Sequence, residues 1–575
     1  MGRPNEAVAA LLQEYADLTS ITGGEAFRTR VYEKAARSVG SHPADVSTLD
    51  LTALQQIPNV GRSIAEKIVE YLGTGRIQAL EGLRAKVPAG VLELTRIPTL
   101  GPKKAMALYS DLGVTSIEEL RDAMLAGKLE GQRGFGARTA ENILHGIDLL
   151  ERSHGRVPIN TAMETAEEVI ATLSAVPGCV TCTYAGSLRR MRETIGDVDI
   201  LAAADDSGPL MDAFTGLPMV AEVIARGQTK SSVRTTGDLQ VDLRVVPPES
   251  WGAALQYFTG SKAHNVRTRE IAVRAGLKLS EYGLFRVEDG TLVVSETEEQ
   301  VYAELGLPWI PPTLREDRGE IQAAHAGQLP ELVTATQIRG DLHTHTDLTD
   351  GLSSLEDMVA AAQARGYEYY AVTDHAKNLP MQRMTDDKML VQRNRLRALA
   401  ADAPMTLLHG TELNIDPDGG VDWDADFLAG FDLCVASVHS HFNQSSEEMT
   451  RRLVRACENP YVTVIGHPTT RLIGKRPPVD ADHDAVFAAA ARTGTALEIN
   501  SFPDRLDLPD ELILRAKRHG VKFAVDTDAH AAVHLDHLRY GIGTAQRGWL
   551  TSDDVINTWP LGRLRTFIGR KRRLT

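Results

Sequence analysis

Three times in the first 150 residues a short turn rich in apolar residues and glycine precedes an amphipathic stretch. Ile57-Pro58-Asn59-Val60-Gly61, Ile97-Pro98-Thr99-Leu100-Gly101 and Arg133-Gly134-Phe135-Gly136 lead into 63–72, 103–112 and 139–150, where Ala, Ile and Leu recur at helical spacing. Short helices separated by tight turns are expected there. From about Val157 the period changes: 164–173 keeps helical spacing, but 181–185, 198–203 and 239–245 are apolar runs of strand length, so an α+β sheet is expected. A smaller helical and hairpin segment spans 251–316 and ends in Pro308-Trp309-Ile310-Pro311-Pro312. The polar, alanine-rich stretch 316–337 then reads as a linker. Beyond Gly340, apolar runs at 369–372, 434–437, 462–465, 496–499 and 522–525 alternate with helical stretches, the pattern of a (β/α) barrel.

At 575 residues the chain is too long for one core, which agrees with several modules. With 43% hydrophobic and 24% charged residues it has ordinary globular composition, and no apolar run approaches the roughly 18–20 residues of a membrane span. Four cysteines and an N-terminus without secretory character lead us to expect a reducing cytoplasm. The net charge of −15 argues against a polyanion partner for the chain as a whole, but charge is unevenly spread. Residues 1–150 carry 17 basic and 18 acidic side chains, whereas 401–450 carry ten acidic and no basic ones. That second stretch suits metals better than phosphates, and twelve of the 17 histidines lie at or beyond His343, so the C-terminal part has a different chemistry.

The recurrent turns resemble the helix-hairpin-helix, in which a glycine turn presents backbone N–H groups at a helix N-terminus to a DNA phosphate without reading sequence. Gly61, Gly101, Gly134 and Gly136 are the expected contacts. Asn59 suits such a turn because Asn tolerates positive φ, and β-branched Thr99 suits it less.

A strand running into Ala185-Gly186-Ser187-Leu188-Arg189-Arg190 is followed by Gly196-Asp197-Val198-Asp199. Strand alternation puts Asp197 and Asp199 on one face, and Asp242 lies in another apolar strand, Gln240-Val241-Asp242-Leu243-Arg244. Three clustered carboxylates repel one another unless divalent ions sit between them, and oxygen ligands suit Mg²⁺ or Mn²⁺. Two such ions would stabilise the attacking and leaving oxygens of an in-line phosphoryl displacement. An isolated Asp-x-Asp is as readily a solvated strand edge, so the surroundings decide.

Those surroundings resemble a nucleotidyltransferase palm. Tyr257-Phe258-Thr259-Gly260-Ser261, with Asn265 and Arg269, narrows the likeness to the family X DNA polymerases, DNA polymerase beta among them, over about residues 20–316. The resemblance implies that Asp197 and Asp199 hold both metals and the triphosphate, with Asp242 nearest the primer 3′-hydroxyl. It implies triphosphate contacts from Gly186, Ser187, Arg190 and Gly196, a sugar-side wall from Tyr257, Phe258 and Gly260, and minor-groove contacts from Asn265 and Arg269. Lys67 matches the lysine that forms a Schiff base with 5′-deoxyribose phosphate in relatives with lyase activity. Ser63 and Arg28 stand where the polymerase beta pattern has lysines, so a surface lysine is the alternative.

The C-terminal module opens with Asp341-Leu342-His343-Thr344-His345-Thr346-Asp347-Leu348-Thr349-Asp350. His343 and His345, two apart at the end of a short strand, face the same way. Other candidates stand at later strand ends: His375 in Thr373-Asp374-His375, Glu412 in Gly410-Thr411-Glu412, His439 in Ser437-Val438-His439, His467 in Gly466-His467-Pro468, and Asp528 and His530 in Asp526-Thr527-Asp528-Ala529-His530. The C-terminal ends of barrel strands converge on one mouth, where so many imidazoles and carboxylates call for metal.

This order resembles the polymerase and histidinol phosphatase (PHP) domain, found at the same C-terminal position in bacterial family X polymerases, over about 338–575. The resemblance implies up to three divalent ions, Mn²⁺ or Zn²⁺. One would be held by His343, His345, Glu412 and Asp528, one would share Glu412 and take His439 and His467, and one would take Asp350, His375 and His530. Such a centre activates water for attack on a phosphoester. His441 is a candidate for substrate contact or for orienting a ligand. Two signals are set aside: Cys179-Val180-Thr181-Cys182 as core packing, and the basic run Arg563, Arg565, Arg570, Lys571, Arg572 and Arg573 as solvated.

The expected fold is multidomain, α+β and α/β. It comprises an N-terminal helical DNA-binding, lyase-like module at 1–85, a helix-hairpin-helix module at 86–150, a nucleotidyltransferase palm at 151–248, a thumb-like nucleotide-selecting domain at 249–316, a linker at 317–337 and a PHP phosphoesterase barrel at 338–575. The expected function is template-directed gap filling in DNA repair by two-metal nucleotidyl transfer, with a metal-dependent 3′–5′ exonuclease in the barrel. Abasic-site incision and 3′-phosphate removal are further activities that the resemblance allows. Two other readings stay open, a structural or recruiting barrel and a small-molecule phosphatase. The expected partners are gapped or nicked DNA and deoxynucleoside triphosphates, with no membrane and no oligomer required.

Overall fold

The computed structural model describes residues 4–573 except 23–24, 41, 43, 88–90, 92–93, 96, 98–99, 130–134, 136–138, 141–142, 145, 148–154, 380–381 and 383. The chain divides into two units, Met1–His154 with Thr470–Pro478, and Gly155–Thr469 with Val479–Thr575.

In the first unit the apolar periodicity becomes one helical core that includes Leu12, Ile64, Ile68, Leu108 and Leu120. The stretches expected from 63 and 103 form the helices Arg62–Thr74 and Pro102–Leu112, which end at Gly75 and Gly113 in the left-handed conformation that stops a helix. Gly61 and Gly101 occupy the N-cap positions of these two helices. Asn59 has φ 63°, the positive value its side chain tolerates. Gly134, Gly136, Thr99 and half of 139–150 lie outside the described residues.

The palm in the second unit is a five-stranded sheet in the order Thr181–Tyr184, Asp197–Ala203, Gln240–Val246, Lys230–Thr235, Val220–Arg226. Asp197–Ala203 runs parallel to Gln240–Val246 and antiparallel to Thr181–Tyr184. Helix Ile159–Ser174 buries Ala162, Ala166, Val169 and Leu173, the helical spacing seen in the sequence. Next come the helices Trp251–Thr259 and Lys262–Arg274 and a three-stranded antiparallel sheet.

The stretch expected to be a linker is folded. Helix Glu320–His325 buries Ile321 and Ala324 in the same cluster as Leu277, Leu284 and Tyr302. Its Glu320 carboxylate accepts from the amides of Asp317 and Arg318 and sits 2.7 Å from buried His264 Nδ1. Polarity misled here because the buried Glu320 carboxylate is satisfied by two backbone amides and His264.

Beyond it, seven parallel strands follow one another in chain order from Gly340–Asp341 to Phe523–Asp526, and a bridge from Thr344 to Ala529 brings the first and last together at one end. Alternate residues Leu342, Tyr369, Ala371, Leu408, Val435, Val464 and Ala524 form an inner cluster with Trp559 and Leu564. The C-terminal basic run is not wholly solvated. Lys571 is buried, and its Nζ donates to Val462 O and Thr495 Oγ1 at 2.6 Å, where two strands begin. Among the described residues no helix is long and apolar enough to cross a membrane.

Candidate active sites

Parallel pairing places Asp199 directly opposite Asp242, with Asp197 one pleat along the same face. A cavity lined by Asp199, Lys230, Asp242, Arg244 and Phe258 opens on this pair. Burial, reinforced by Asp197 and Asp242, pushes the Asp199 carboxyl up to about 7. Burial also acts to raise Asp242, but hydrogen bonds from Lys230, Gln240 and Ser232 outweigh it and hold that carboxyl below its usual value. Lys230 Nζ stands 2.7 Å from Asp242 Oδ2, so a cation already answers part of the negative charge.

Gly186 is forced by this site. Its φ is 58°, and a Cβ there would stand 2.0 Å from Asp199 Oδ2, so both backbone and space exclude a side chain. Ser187 follows in the short helix Gly186–Arg189, and Gly196 sits just before the aspartate strand, close to Arg156 Nη1. Arg190 extends toward the next segment: Nη1 donates to Thr259 O at 2.5 Å, beside Gly260, and Nε meets Glu316 Oε1 at 3.1 Å. The Tyr257 and Phe258 rings meet edge to face at 5.1 Å, and Arg244 lies over the Phe258 ring. Buried Asn265 donates to Tyr257 O and receives Arg269 Nε on its own carbonyl.

In the first unit Lys67 Nζ lies 3.0 Å from Ser63 Oγ and 5.7 Å and 5.9 Å from the Tyr15 and Tyr32 ring centres. Cys179 and Cys182 are free and half-buried rather than deep in the core.

The barrel mouth gathers all nine residues expected from the motifs. Glu412 is the hub. Its Oε1 lies 3.1 Å from both His439 Nε2 and His467 Nε2 and 3.6 Å from His343 Nε2, while its Oε2 lies 2.8 Å from His375 Nδ1 and 3.6 Å from His345 Nε2. Asp528 Oδ1 stands 3.1 Å from His345 Nε2, and Asp350 lies between His375 Nε2 at 3.3 Å and His530 Nε2 at 3.4 Å. Eight of the nine fall into three groups whose ligand atoms lie within 4.8 Å of one another: His345, Asp350, His375 and His530; His343, His345 and Asp528; His375, Glu412 and His439; His467 stands outside them, against Glu412. The divisions differ from the expected sets: His345 and His375 each belong to two groups, Glu412 to one rather than two, and His467 to none.

A divalent metal fits this donor set. His345 Nδ1 is buried without a hydrogen-bond partner, 3.9 Å from Asp350 Oδ1, as an atom that faces a cation would be. His467 and Asp528 hold left-handed backbone, φ 29° and 52°, strain of the kind concentrated at functional sites. Burial disfavours a charged His343, but Glu498, Asp528 and Glu412 outweigh it and raise that imidazole well above its usual value.

The motifs missed the residues that aim these ligands. Glu498 Oε1 takes His343 Nδ1 at 2.6 Å and Asn414 Oδ1 takes His439 Nδ1 at 2.7 Å, in each case turning Nε2 toward the centre. Both carried a signal: Glu498 is a carboxylate inside an apolar strand, and Asn414 follows Glu412 by two in a strand, on the same face. His441 stays exposed and meets Ser440 Oγ.

Comparison with known families agrees with this layout. A helix-hairpin-helix domain matches residues 3–77, a tandem helix-hairpin-helix 91–147, the DNA polymerase beta thumb 254–316 and the PHP domain 341–502. The chain is 36% identical to the DNA polymerase/3′-5′ exonuclease PolX of Bacillus subtilis over 98% of its own length and 99% of that protein. It is 30% identical to DNA polymerase lambda of Rattus norvegicus over 51% of this chain and 53% of the relative. A probable phosphatase of Thermoanaerobacter is 28% identical over 40% of this chain and 95% of the relative. With a palm that sets Asp199 beside Asp242 and a barrel that gathers nine candidate ligands, the chain belongs to the family X DNA polymerases that carry a C-terminal PHP domain.

Proposed function

We propose that this chain fills short gaps in DNA by template-directed nucleotide addition in its palm and removes 3′-terminal nucleotides in its barrel, working in the cytoplasm. The observation that carries the reading is two sites of different chemistry on one chain, a strand register that sets Asp197, Asp199 and Asp242 on one face of the palm sheet and a histidine-rich cluster of ligand atoms around Glu412.

In the palm, Mg²⁺ or Mn²⁺ held by the three aspartates supplies charge for the attacking and leaving oxygens. Gly186, Ser187, Arg190 and Gly196 bind the triphosphate, Tyr257, Phe258 and Gly260 wall the sugar, and Asn265 and Arg269 meet the minor-groove edge of the new pair. In the barrel, Mn²⁺ or Zn²⁺ supplies the Lewis acidity for hydrolysis. The nine ligands hold the ions, with Glu498 and Asn414 orienting His343 and His439. Water adds to phosphorus, the P–O3′ bond breaks, and the 3′-hydroxyl left behind is one the palm can extend.

The test is one-nucleotide-gapped DNA with Mn²⁺. With nucleotides the primer should gain one residue, and without them it should shorten from its 3′ end. An intact primer in every divalent ion would leave the barrel structural, and hydrolysis of small phosphomonoesters without shortening would make it a phosphatase.

Gly61 tests the helix-hairpin-helix reading cleanly. Its φ is −76° and an added Cβ meets nothing within 4 Å, so Gly61→Leu should fold normally. Affinity for gapped DNA should fall about tenfold at any sequence, and wild-type affinity should drop steeply with salt. Fluorescence anisotropy at two salt concentrations reads both, and unchanged binding by the variant would make the turn structural only.

A further inference from the structure

The palm and the barrel lie in one unit, and a barrel helix reaches the palm's nucleotide turn. Helix Leu538–Arg547 approaches Met191 at Gly543, where a Cβ would stand 2.5–2.9 Å from Met191 side-chain atoms. At the end of this helix Arg547 is buried. Its Nη1 donates to Arg190 O and to Glu316 Oε1, both at 2.8 Å. The other side of the guanidinium grips Asp510 Oδ2 through Nε at 2.8 Å and Nη2 at 2.7 Å, and Arg318 Nη2 meets the same oxygen at 2.7 Å. Glu316 Oε1 is thus shared by two arginines, Arg547 of the barrel and Arg190 of the palm.

Sharing decides where Arg190 points. The bonds to Glu316 and Thr259 O use two of its five N–H donors and leave the rest for an anion. If Arg547 lost its charge, Arg190 would be the one cation among the described residues still bonded to Glu316, with Arg192 and Arg318 acting on it only through space. The three side chains are 3–14% exposed, so little solvent screens the change. Glu316 would then compete with a triphosphate for the guanidinium, and the bond holding the Arg190 carbonyl would also be lost.

We propose that Arg547 is a positioning residue for nucleotide addition: by holding Glu316 and the Arg190 carbonyl, the barrel keeps the Arg190 guanidinium available to the incoming triphosphate. The proposal rests on the reading of Arg190 as a triphosphate contact, and the experiment separates the two.

Gap-filling kinetics of the full chain are measured against nucleotide concentration for Arg547→Met, Arg547→Lys, Glu316→Gln, Arg190→Ala and the Arg547→Met/Arg190→Ala pair, with barrel nuclease assayed in parallel. Arg547→Met should raise the nucleotide KM about tenfold with kcat within about twofold, while nuclease activity is unchanged. Arg547→Lys should fall between it and wild type, because charge returns without the fork. The double variant should be no worse than Arg190→Ala alone.

A nucleotide KM that Arg190→Ala raises and Arg547→Met leaves unchanged would overturn the proposal and keep the reading beneath it. An unchanged KM in Arg190→Ala would remove that reading instead. A parallel loss of kcat and nuclease activity in Arg547→Met, additive with Arg190→Ala, would make Arg547 a mere brace. Should Arg547→Met fail to fold, Arg547→Lys with and without Glu316→Gln decides: removing the competing carboxylate should return its raised KM toward wild type, and a raised KM that Glu316→Gln leaves unmoved in the folded protein would overturn the idea.

Discussion

Glu412→Ala is expected to lower release of 3′-terminal nucleotides by more than about 100-fold, beyond the 10–100-fold typical of losing a residue that merely orients a ligand. The carboxylate faces His343, His345, His375, His439 and His467 within 3.6 Å, so among the described residues no other side chain in the mouth has as many such neighbours to hold together. Its removal leaves those imidazoles without the charge that binds them to one another or to a shared ion. His439→Ala should cost less, because it removes a donor from one group while Glu412 still spans the site. Strand Thr406–Asn414 keeps its backbone pairing on both sides, so gap filling in the palm should stay within about twofold of wild type. The measurement is release of a labelled 3′-terminal nucleotide from recessed duplex by wild type, Glu412→Ala, His439→Ala and Asp199→Ala, with metal content determined for each. Nuclease activity that persists in Glu412→Ala and vanishes in Asp199→Ala would move the hydrolysis to the palm.

Much of this site could be read before any coordinates because chemistry and period coincide. His343 with His345 and Asp197 with Asp199 are spaced by two in strands, and in the barrel His375, His439, His467 and Asp528 each follow a recognisable apolar run. What could not be read depends on partners distant in the chain. Glu320 looks like a linker residue until His264 is found beside it, 56 positions away. Glu316 and Arg547 are separated by 231 positions, and nothing local marks either. Lys571 looks like part of a basic tail because its acceptors, Val462 O and Thr495 Oγ1, lie 109 and 76 positions away. The strands Val220–Arg226 and Lys230–Thr235 escaped for a different reason. The first is an almost wholly exposed edge, and the second buries Ser231 and Ser232, so neither shows the apolar alternation of a central strand.

Asp199→Ala should abolish nucleotide addition, with a loss on the order of 1,000-fold or more, and leave the barrel nuclease intact. Asp199 is the middle carboxylate: it stands opposite Asp242 in the parallel pair and shares its strand face with Asp197, so its removal breaks contact to both. Its raised carboxyl, at about 7, shows that burial and two like charges already oppose the ionised form, and bound cations relieve that opposition. The alanine variant therefore loses a ligand without losing a stabilising charge pair, and its folding stability should equal or exceed that of wild type. This separates the role of Asp199 from that of Gly186. Gly186→Ala would drive a methyl group to within 2.0 Å of Asp199 Oδ2 at a φ of 58°, so it should lower both activity and thermal stability. Primer extension and thermal melting of the two variants give the answer together. Undiminished gap filling by a folded Asp199→Ala protein would refute the palm assignment, and an Asp199→Ala protein that melts well below wild type would show the carboxylate to be a structural element of the sheet.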